Sequence, residues 1–424
     1  MRISVYLQTL VLSITLVLLL ISCSPLKKYT KQLDNTSEKQ NYMVGLMLYD
    51  PGQNKVLATL NHERYFTPAS NTKIFTLYTA LQTLGDSIPA ALWKTRNDTL
   101  YLKATGDPTL LHPYFKSEAV LKLIKKSKAN NVVLDTREFN DEKYGPGWAW
   151  EDFAYYFMPE RSGLPVYGNV VRITGINDSI KMSPDSFLDH LYKQKSDYPR
   201  DIRSNTFYLT KTTNDTLYIP FIISDSISLY LLNKLASKKI TAGKFPLSFP
   251  TTNTLYSTAS NSVYKRMMEV SDNFLAEQLM ILSSGKLSDS LSVKKSIDYS
   301  LNTLLPDLPQ RPRWVDGSGL SRYNLFSPHD FVFVLNKMYR EYDRKRLFTL
   351  FPKIQFSEKT INNQTVFIYA KTGSFSNNYC LSGYLLTKSG KTLIFSFMAN
   401  HFTVSSAAIK KEIQWLLNKI RDTY

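Results

Sequence analysis

The chain has 424 residues, of which 43% are hydrophobic and 21% are charged, and this is the composition of an ordinary globular protein. It excludes an intrinsically disordered chain, and the length allows two domains or one large interrupted domain. The formal net charge of +17 favours anionic partners, although solubility alone explains it equally well.

The N-terminus has the pattern of an export signal. Arg2 precedes an apolar run over residues 11–21, and the run ends at Leu20-Ile21-Ser22-Cys23. A small residue before a cysteine is similar to a bacterial lipobox, so we expect residues 1–22 to be a lipoprotein signal peptide and Cys23 to carry the lipid. An uncleaved anchor helix is the alternative, and the run is rather short for it. In an exported protein the basic charge favours envelope polymers or membrane surfaces, and we expect no nucleic acid partner.

The next part of the chain predicts a tether and then a hairpin. Residues 23–40 are polar and lysine-rich, which is typical of a tether. Two β-prone runs at residues 42–49 and 55–60 flank a turn sequence at residues 50–54, so they predict a β-hairpin. Cys23 and Cys380 are the only cysteines, so a lipid on Cys23 leaves no partner for an intramolecular disulfide.

A serine and a lysine three residues apart begin the next element. Apolar residues then recur with helical spacing at Ile74, Leu77, Tyr78, Leu81 and Leu84. Residues i and i+3 share a helix face, so Ser70 and Lys73 would lie together on the first turn. The positive end of the helix dipole and partial desolvation would lower the lysine pKa, and Lys73 could then take a proton from Ser70. The pattern alone is weak, since Ser-x-x-Lys occurs four more times.

The rest of the chain predicts an interrupted domain. Over residues 93–254 the sequence pattern changes to that of short strands and turns, which indicates an inserted, mainly β domain. Helical periodicity returns at residues 260–283, and three strands at residues 365–370, 381–387 and 392–398 precede a final amphipathic helix. Together with the first hairpin they predict an α+β fold with one five-stranded antiparallel sheet, built from residues 41–92 and 255–424.

Two further motifs follow the first in a characteristic order. Ser271-Asp272-Asn273 lies in the helical region, and Lys371-Thr372-Gly373-Ser374 lies at the end of the first closing strand. The order Ser-x-x-Lys, Ser-x-Asn, Lys-Thr-Gly resembles that of penicillin-binding proteins and serine β-lactamases. The spacing of 201 positions from Ser70 to Ser271 resembles that of the class C low-molecular-mass penicillin-binding proteins, the D-alanyl-D-alanine carboxypeptidase/endopeptidase family. Additional matches are at residues 106–110, 144–152, 316–322 and 381–384.

This resemblance implies a penicillin-binding-protein/β-lactamase-like transpeptidase fold and a role for each motif residue. Ser70 would be the nucleophile and Lys73 its base, and Ser271 would relay a proton to the leaving nitrogen. Asn273 would hold Lys73 and the substrate amide. The implied substrate-binding residues are Lys371 and Thr372 for the terminal carboxylate, Gly373 for close approach of the substrate backbone, and Ser374, whose N–H would join that of Ser70 in the oxyanion hole.

The resemblance also implies the substrate. We expect a lipid-anchored, envelope-facing serine DD-peptidase that acts on peptidoglycan stem peptides and is acylated by β-lactams. The alternatives are a β-lactamase-like hydrolase and a non-catalytic peptidoglycan sensor that kept the fold. Carboxypeptidase and endopeptidase action both stay open, as do the third stem residue and the membrane that holds the lipid.

Two charged residues are candidates for recognising the third residue of the stem peptide. By resemblance, Asp152 and Arg322 would recognise the ammonium and the carboxylate of a diamino acid side chain. The alternative is that they are ordinary surface charges or pair with each other. We expect no cofactor and no metal, because the five histidines, His62, His112, His190, His329 and His401, lack a metal-ligand spacing.

Overall fold

The structure of the chain is a computed structural model that describes residues 25–176, 179–209, 215–246, 252–355 and 367–424. Cys23 and the apolar run before it lie outside these ranges. Within them, no helix is both long and apolar enough to cross a membrane.

The first half of the chain forms helices and strands in alternation. The helices are α1 (Pro25–Lys39), α2 (Lys73–Thr83), α3 (Ala119–Lys126) and α4 (Asp225–Asn233), and short 3-10 turns cover Ala69–Thr72, Trp150–Ala154, Tyr167–Asn169 and Asp185–His190. The strands are β1 (Met43–Asp50), β2 (Lys55–Leu60), β3 (Ser87–Arg96), β4 (Thr99–Ala104), β5 (Asn131–Asp135), β6 (Val170–Ile176), β7 (Ser179–Ser183), β8 (Leu191–Tyr192), β9 (Phe207–Tyr208), β10 (Leu217–Pro220) and β11 (Ile240–Ala242).

The second half is helical before it returns to strands. Its helices are α5 (Ser260–Glu269), α6 (Asn273–Leu287), α7 (Val293–Tyr299), α8 (Pro328–Glu341), α9 (Arg344–Leu350) and α10 (Ser406–Thr423), with a π-helical turn at Ser300–Leu304. Its strands are β12 (Asn253–Ala259), β13 (Ile368–Phe375), β14 (Asn378–Leu386) and β15 (Thr392–Asn400).

The two ends of the chain build one antiparallel sheet of order β13-β14-β15-β1-β2, as the sequence predicts. Side chains of β14 alternate between its faces. Cys380 and Tyr384 join the core around α2, α6 and α8, whereas Leu381 and Leu385 join the core under α1 and α10. Both faces are covered, which explains why β14 and β15 read as nearly continuous apolar runs.

Residues 25–39 are a helix, and the tether predicted for residues 23–40 is wrong in this part. Leu26, Tyr29 and Leu33 follow one another at helical spacing, and Leu26 and Leu33 are buried in the core beneath the sheet. Tyr29 packs edge-on against Trp415 of α10. Lysines separate these apolar residues in the sequence and make the segment polar on average, so the helix was not predicted. Tertiary contacts with α10 and the sheet stabilise the helix.

The region between residues 93 and 254 is rich in strands. Its largest sheet has the order β11-β5-β4-β3-β12, in which β5 runs parallel to both neighbours, and smaller sheets join β10-β6-β7 and β8-β9. The strands at its two junctions, β3 and β12, pair with each other. A separate core around Leu100, Leu102 and Val132 lies within it. The domain boundaries themselves stay a prediction.

Two motifs occupy different local structures from those expected. Ser271 has a left-handed backbone with φ of 56°, so Ser271-Asp272-Asn273 marks a break between α5 and α6 and is not inside one helix. Asp272 caps α6 by accepting a hydrogen bond from the Leu275 N–H at 3.0 Å. Lys371 lies in the middle of β13, because the strand continues to Phe375.

Candidate active site

The serine of the first motif lies on a turn that is tied to the sheet. Ser70 belongs to the 3-10 turn before α2, and the preceding Ala69 has a left-handed φ of 47°. The buried Asn71 side chain donates to the carbonyl oxygens of Lys371 at 2.9 Å and Cys380 at 3.3 Å. The turn that carries Ser70 is therefore held against the β13–β14 hairpin.

Two glycines permit this close packing. A Cβ atom on Gly373 would lie 2.3 Å from the carbonyl oxygen of Pro68, and one on Gly319 would lie 2.0 Å from that of Ala69. Gly319 also has a left-handed φ of 79°. We expected Gly373 to make room for substrate; in the structure it makes room for the turn that precedes Ser70.

Lys73 is fully buried and contacts three acceptors. Its Nζ atom lies 3.1 Å from Ser70 Oγ, 2.6 Å from Asn273 Oδ1 and 2.6 Å from the carbonyl oxygen of Ser318. A neutral amine has two hydrogens and one lone pair. Because the amide oxygen and the carbonyl oxygen can only accept, a neutral Lys73 would donate to those two and turn its lone pair toward the Ser70 hydroxyl.

Burial also favours the neutral form of Lys73. Desolvation lowers the pKa of Lys73 to about 8, and the carboxylates of Asp316, Glu277 and Asp272 oppose that shift. A lysine with a pKa near 8 is partly neutral at physiological pH and can accept a proton.

The carbonyl of Ser318 is fixed by two buried carboxylates. Glu277 accepts the Ser318 N–H at 2.7 Å, and Asp316 accepts the Gly319 N–H at 2.8 Å and the Ser321 N–H at 2.7 Å. Burial, and then the nearby Glu277, raises the pKa of Asp316. The loop at residues 316–321 is thereby held as a rigid acceptor for Lys73.

A buried arginine balances this charge. Arg161 donates to Glu277 Oε2 through Nε at 2.9 Å and Nη2 at 2.5 Å, and its guanidinium lies 5.1 Å from the Trp148 ring centroid. Trp148 Nε1 donates to Asp316 at 2.9 Å. Both residues belong to the strand-rich region. This region therefore contributes to the hydrogen-bond network that holds the Ser318 loop beside Lys73.

The second motif contributes through Asn273. Its Oδ1 accepts from Lys73, and its Nδ2 donates to the carbonyl oxygen of Phe157 at 2.9 Å. Glu277 lies one helical turn further along α6, so the same face presents both side chains. Ser271 is partly exposed on the left-handed turn, and it has no hydrogen bond to Lys73 among the residues that the structure describes.

Lys371 brings a second buried lysine to the site. Its Nζ atom donates to the carbonyl oxygen of Thr372 at 2.9 Å, and burial together with repulsion from Lys73 lowers the pKa of Lys371 well below its usual value. Thr372 is half-buried and Ser374 is exposed on the same edge strand. An anion beside β13 would relieve the repulsion between the two lysines.

Asp152 and Arg322 lie near each other without forming an ion pair in the described structure. Arg322 Nη1 donates to Asn377 Oδ1 at 3.3 Å, and its guanidinium lies 4.4 Å from the Phe375 ring centroid. Burial and the adjacent Glu151 raise the pKa of Asp152, and Arg322 opposes this shift. Arg322 therefore lies beside the turn of the β13–β14 hairpin that follows Ser374. The Asp152 carboxylate forms no ion pair among the described residues.

A cleft of about 220 Å³ lies beside the second motif. Asp272 and Phe274, which flank Asn273, form part of its wall, and Tyr114, Tyr156 and Tyr218 come from the strand-rich region. Ser70 and Lys73 are outside its lining. The cleft thus lies next to the second motif, between helix α6 and the strand-rich region.

The chemistry available here is acyl transfer to a serine. The described residues near Ser70 and Lys73 contain no group of three histidine, cysteine or acidic side chains close enough to hold a metal. A serine beside a desolvated lysine, next to a Lys-Thr-Gly edge strand, defines the serine-type class to which penicillin-binding proteins belong.

Comparisons with known proteins agree. The model of the D-Ala-D-Ala carboxypeptidase 3 (S13) family matches residues 28–186 and 236–420. The chain belongs to this family and is a serine-type D-Ala-D-Ala carboxypeptidase homologue, so the family resemblance and the fold predicted from the motifs are confirmed. The family model does not cover residues 187–235, in the strand-rich region.

Individual relatives are similar over most of their length. D-alanyl-D-alanine carboxypeptidase DacB of Haemophilus influenzae is 24% identical, with 90% of each chain covered. Penicillin-sensitive carboxypeptidase A of Dictyostelium discoideum is 23% identical, with 84% of this chain and 82% of the relative covered. The crystal structure of penicillin binding protein 4 from H. influenzae aligns with a TM-score of 0.69 and 21% identity over 92% of this chain and 99% of that one.

Three groups at the site were not predicted from the sequence. They are Glu277, Arg161 and the carbonyl of Ser318. Glu277 follows Asn273 at i+4, which is a signal for a shared helix face. The carbonyl of Ser318 has no such signal, because a main-chain group depends only on the path of its loop.

Proposed function

We propose that this chain cleaves the D-alanyl-D-alanine bond of peptidoglycan stem peptides through an acyl-enzyme on Ser70. The observation that carries the proposal is the contact of a buried Lys73 with Ser70 Oγ, while two acceptors occupy its hydrogens. Family membership supports the same reaction. β-Lactams, which imitate the scissile amide, would acylate the same oxygen.

The steps follow from these contacts. Lys73 takes the Ser70 proton as Oγ attacks the carbonyl carbon, and the C–N bond breaks as the leaving D-alanine nitrogen receives a proton. Ser271, which is partly exposed on the turn before α6, is suited to pass that proton. Water then attacks the acyl carbon, its proton goes to Lys73, and the ester bond to Ser70 breaks to restore the hydroxyl.

The edge strand supplies the substrate contacts in this proposal. The substrate terminal carboxylate would bind Lys371 and Thr372, and its charge would offset the repulsion between Lys371 and Lys73. The N–H groups of Ser70 and Ser374 would stabilise the oxyanion, since the turn and β13 lie against each other at Gly373.

Labelling with a fluorescent penicillin tests the nucleophile. We expect one covalent adduct, located at Ser70 by peptide mass spectrometry and lost in Ser70→Ala. Ser262→Ala removes the serine of another Ser-x-x-Lys sequence and should label normally. Label on a different serine, or normal labelling of Ser70→Ala, would refute the proposal.

The lifetime of the adduct separates the hydrolase alternatives. A DD-peptidase should release D-alanine from a stem peptide and keep penicillin bound for long periods. A β-lactamase-like hydrolase should turn penicillin over rapidly, and a non-catalytic sensor should form no adduct. Products from defined cross-linked and linear muropeptides would then tell endopeptidase from carboxypeptidase action.

We further propose that Asp152 and Arg322 read the two ends of a diaminopimelate side chain. Arg322 is held beside the β13–β14 hairpin by Asn377 and Phe375, and Asp152 is not engaged in an ion pair within the described structure. Arg322→Ala should lower the preference for diaminopimelate over lysine stems on the order of tenfold, while Asp152→Ala should slow both. Glu151→Ala, on the same turn, is the control. An unchanged ratio and rate in both variants would contradict this role.

We also propose that Cys23 is lipidated after removal of residues 1–22 and holds the enzyme on a membrane in the cell envelope. The support is the lipobox-like sequence, and Cys23 lies outside the described residues. Cys23→Ala should release the protein from membranes, whereas Cys380→Ala should not. Membrane retention of Cys23→Ala, with no lipid adduct on the wild type, would rule it out.

A further inference from the structure

Two histidines that are 267 positions apart in the sequence meet beside a glutamate at the protein surface. The ring centroids of His62 and His329 are 5.5 Å apart, and His62 Nε2 lies 3.8 Å from Glu63 Oε1. One nitrogen from each ring and one carboxylate oxygen all lie within 4.8 Å of one another. Sequence spacing could not reveal this group, because the fold alone brings His329 to the other two.

The backbone around the group is held in place. His329 N–H donates to the carbonyl oxygen of His62 at 3.0 Å. Phe66 and Phe326 exchange two further main-chain hydrogen bonds, of 2.8 and 3.0 Å, close by on the same two segments. Because these bonds need no side chain, the juxtaposition of the two histidines survives substitution of either ring.

The side chains are free to act as ligands. Nδ1 of His329 is buried and has no hydrogen-bond partner within the described ranges, which is uncommon for a polar atom and would be corrected by coordination. The side chain of His62 is 29% exposed and that of Glu63 is 66% exposed, so an ion can reach the group from solvent.

We propose that His62, Glu63 and His329 bind a divalent transition-metal ion of the zinc class. Two imidazoles and one carboxylate form a donor set that Zn²⁺ accepts, with ligand distances of about 2.0–2.2 Å. Tetrahedral ligands then lie about 3.4 Å apart, so atoms that are up to 4.8 Å apart must approach by as much as about 1.4 Å, and the exposed Glu63 side chain can move to allow this. Water, or a group from another molecule, completes the coordination.

Such an ion would join two segments that both lead to the catalytic residues. His62 and Glu63 precede the turn that carries Ser70, and His329 lies in the first turn of α8, after the segment that leads from the Ser318 loop. The ion takes no part in acyl transfer. Its effect would be to stabilise the relative position of these segments.

Calorimetric titration of the full chain with ZnCl₂, without a histidine tag, tests the site. We expect one ion per chain, and binding at least tenfold weaker in both His62→Gln and His329→Gln. Glu63→Gln should also weaken binding, whereas His190→Gln, at an exposed histidine outside the group, should bind as the wild type does. Co²⁺ should give visible absorption bands that the two histidine variants lack.

Covalent penicillin labelling of each variant shows whether it is folded, since none of the three residues belongs to the catalytic machinery. If either histidine variant fails to fold, the exposed Glu63→Gln variant carries the test. The proposal is overturned if the wild type binds no Zn²⁺ at millimolar concentration, or if folded variants bind it with unchanged affinity.

Discussion

The carbonyl oxygen of Ser318 lies 2.6 Å from Lys73 Nζ, so a main-chain group outside the three sequence motifs directs the lysine. Ser318 is held in turn by Glu277, and Glu277 by Arg161. The contacts that set the geometry and charge of Lys73 therefore extend from α6 to the strand-rich region.

Acylation should become faster as pH rises. Lys73 can accept the Ser70 proton only when neutral, and burial lowers its pKa to about 8. The rate of β-lactam acylation should increase from pH 6 to pH 9 with a midpoint near 8. Stopped-flow measurement with a reporter β-lactam checks this, and circular dichroism at each pH controls for unfolding. A rate that is flat or falls over this range would contradict the assignment of Lys73 as the base.

Glu277→Gln should lower both stability and the midpoint of that pH profile. Glutamine leaves the buried Arg161 without its main partner, which typically costs about 3–5 kcal/mol of unfolding free energy. Loss of a carboxylate that raises the Lys73 pKa should move the midpoint to lower pH. Urea unfolding and acylation kinetics measure the two effects. Glu269→Gln, on the exposed surface of α5, should change unfolding free energy by less than about 1 kcal/mol and leave the profile in place; equal behaviour of the two variants would argue against the network.

Gly319→Ala should disable acylation, whereas Gly390→Ala should not. Both glycines have a left-handed φ, of 79° and 84°, so both variants strain the backbone alike. Only at Gly319 would the new Cβ collide with the carbonyl oxygen of Ala69, next to Ser70. A displacement of about 1 Å at the nucleophile can cost about 100-fold in rate. Acylation kinetics of the two variants measure the difference in rate. A similar small loss of rate in both variants would show that other atoms move to relieve the collision.

Leu33→Ala should destabilise the protein, although residues 23–40 read as a tether. Leu33 is buried between α1 and the sheet, and truncation of a buried leucine costs about 2–5 kcal/mol. Lys31→Ala, on the exposed face of α1, is the control. Denaturant unfolding of the two variants measures the difference, and an unaffected Leu33→Ala would mean that α1 contributes nothing to the core.

Much of the sheet, and the proximity of Ser70 to Lys73, could be predicted from local pattern. The run at residues 55–60 coincides with β2, and the strands predicted at residues 381–387 and 392–398 agree with β14 and β15 to within three residues at each end. Alternation and turn residues are properties of a few neighbouring positions, so a single sequence reveals them.

Contacts between distant segments could not be predicted. Leu26 and Leu33 form a buried helix face only when α10 and the sheet are present. At Ser271, packing overrides the helical periodicity of the sequence, and the helix is interrupted. The Arg161–Glu277 pair joins residues 116 positions apart, and neither one differs in its neighbourhood from a surface charge.

The pairing of β1 with β15 sets an order of events for folding. Met43 lies opposite Asn400, and β15 separates β1 from β14 in the sheet. The N-terminal hairpin therefore leaves the edge of β1 unpaired until nearly the whole chain has emerged, and such edges invite aggregation. The turn that carries Ser70 is held by β13 and β14, which also lie close to the C-terminal end of the chain. During synthesis the nascent chain would thus lack the complete candidate active site until these strands are available, and a chaperone that shields the first hairpin would be most useful before residue 400 is available.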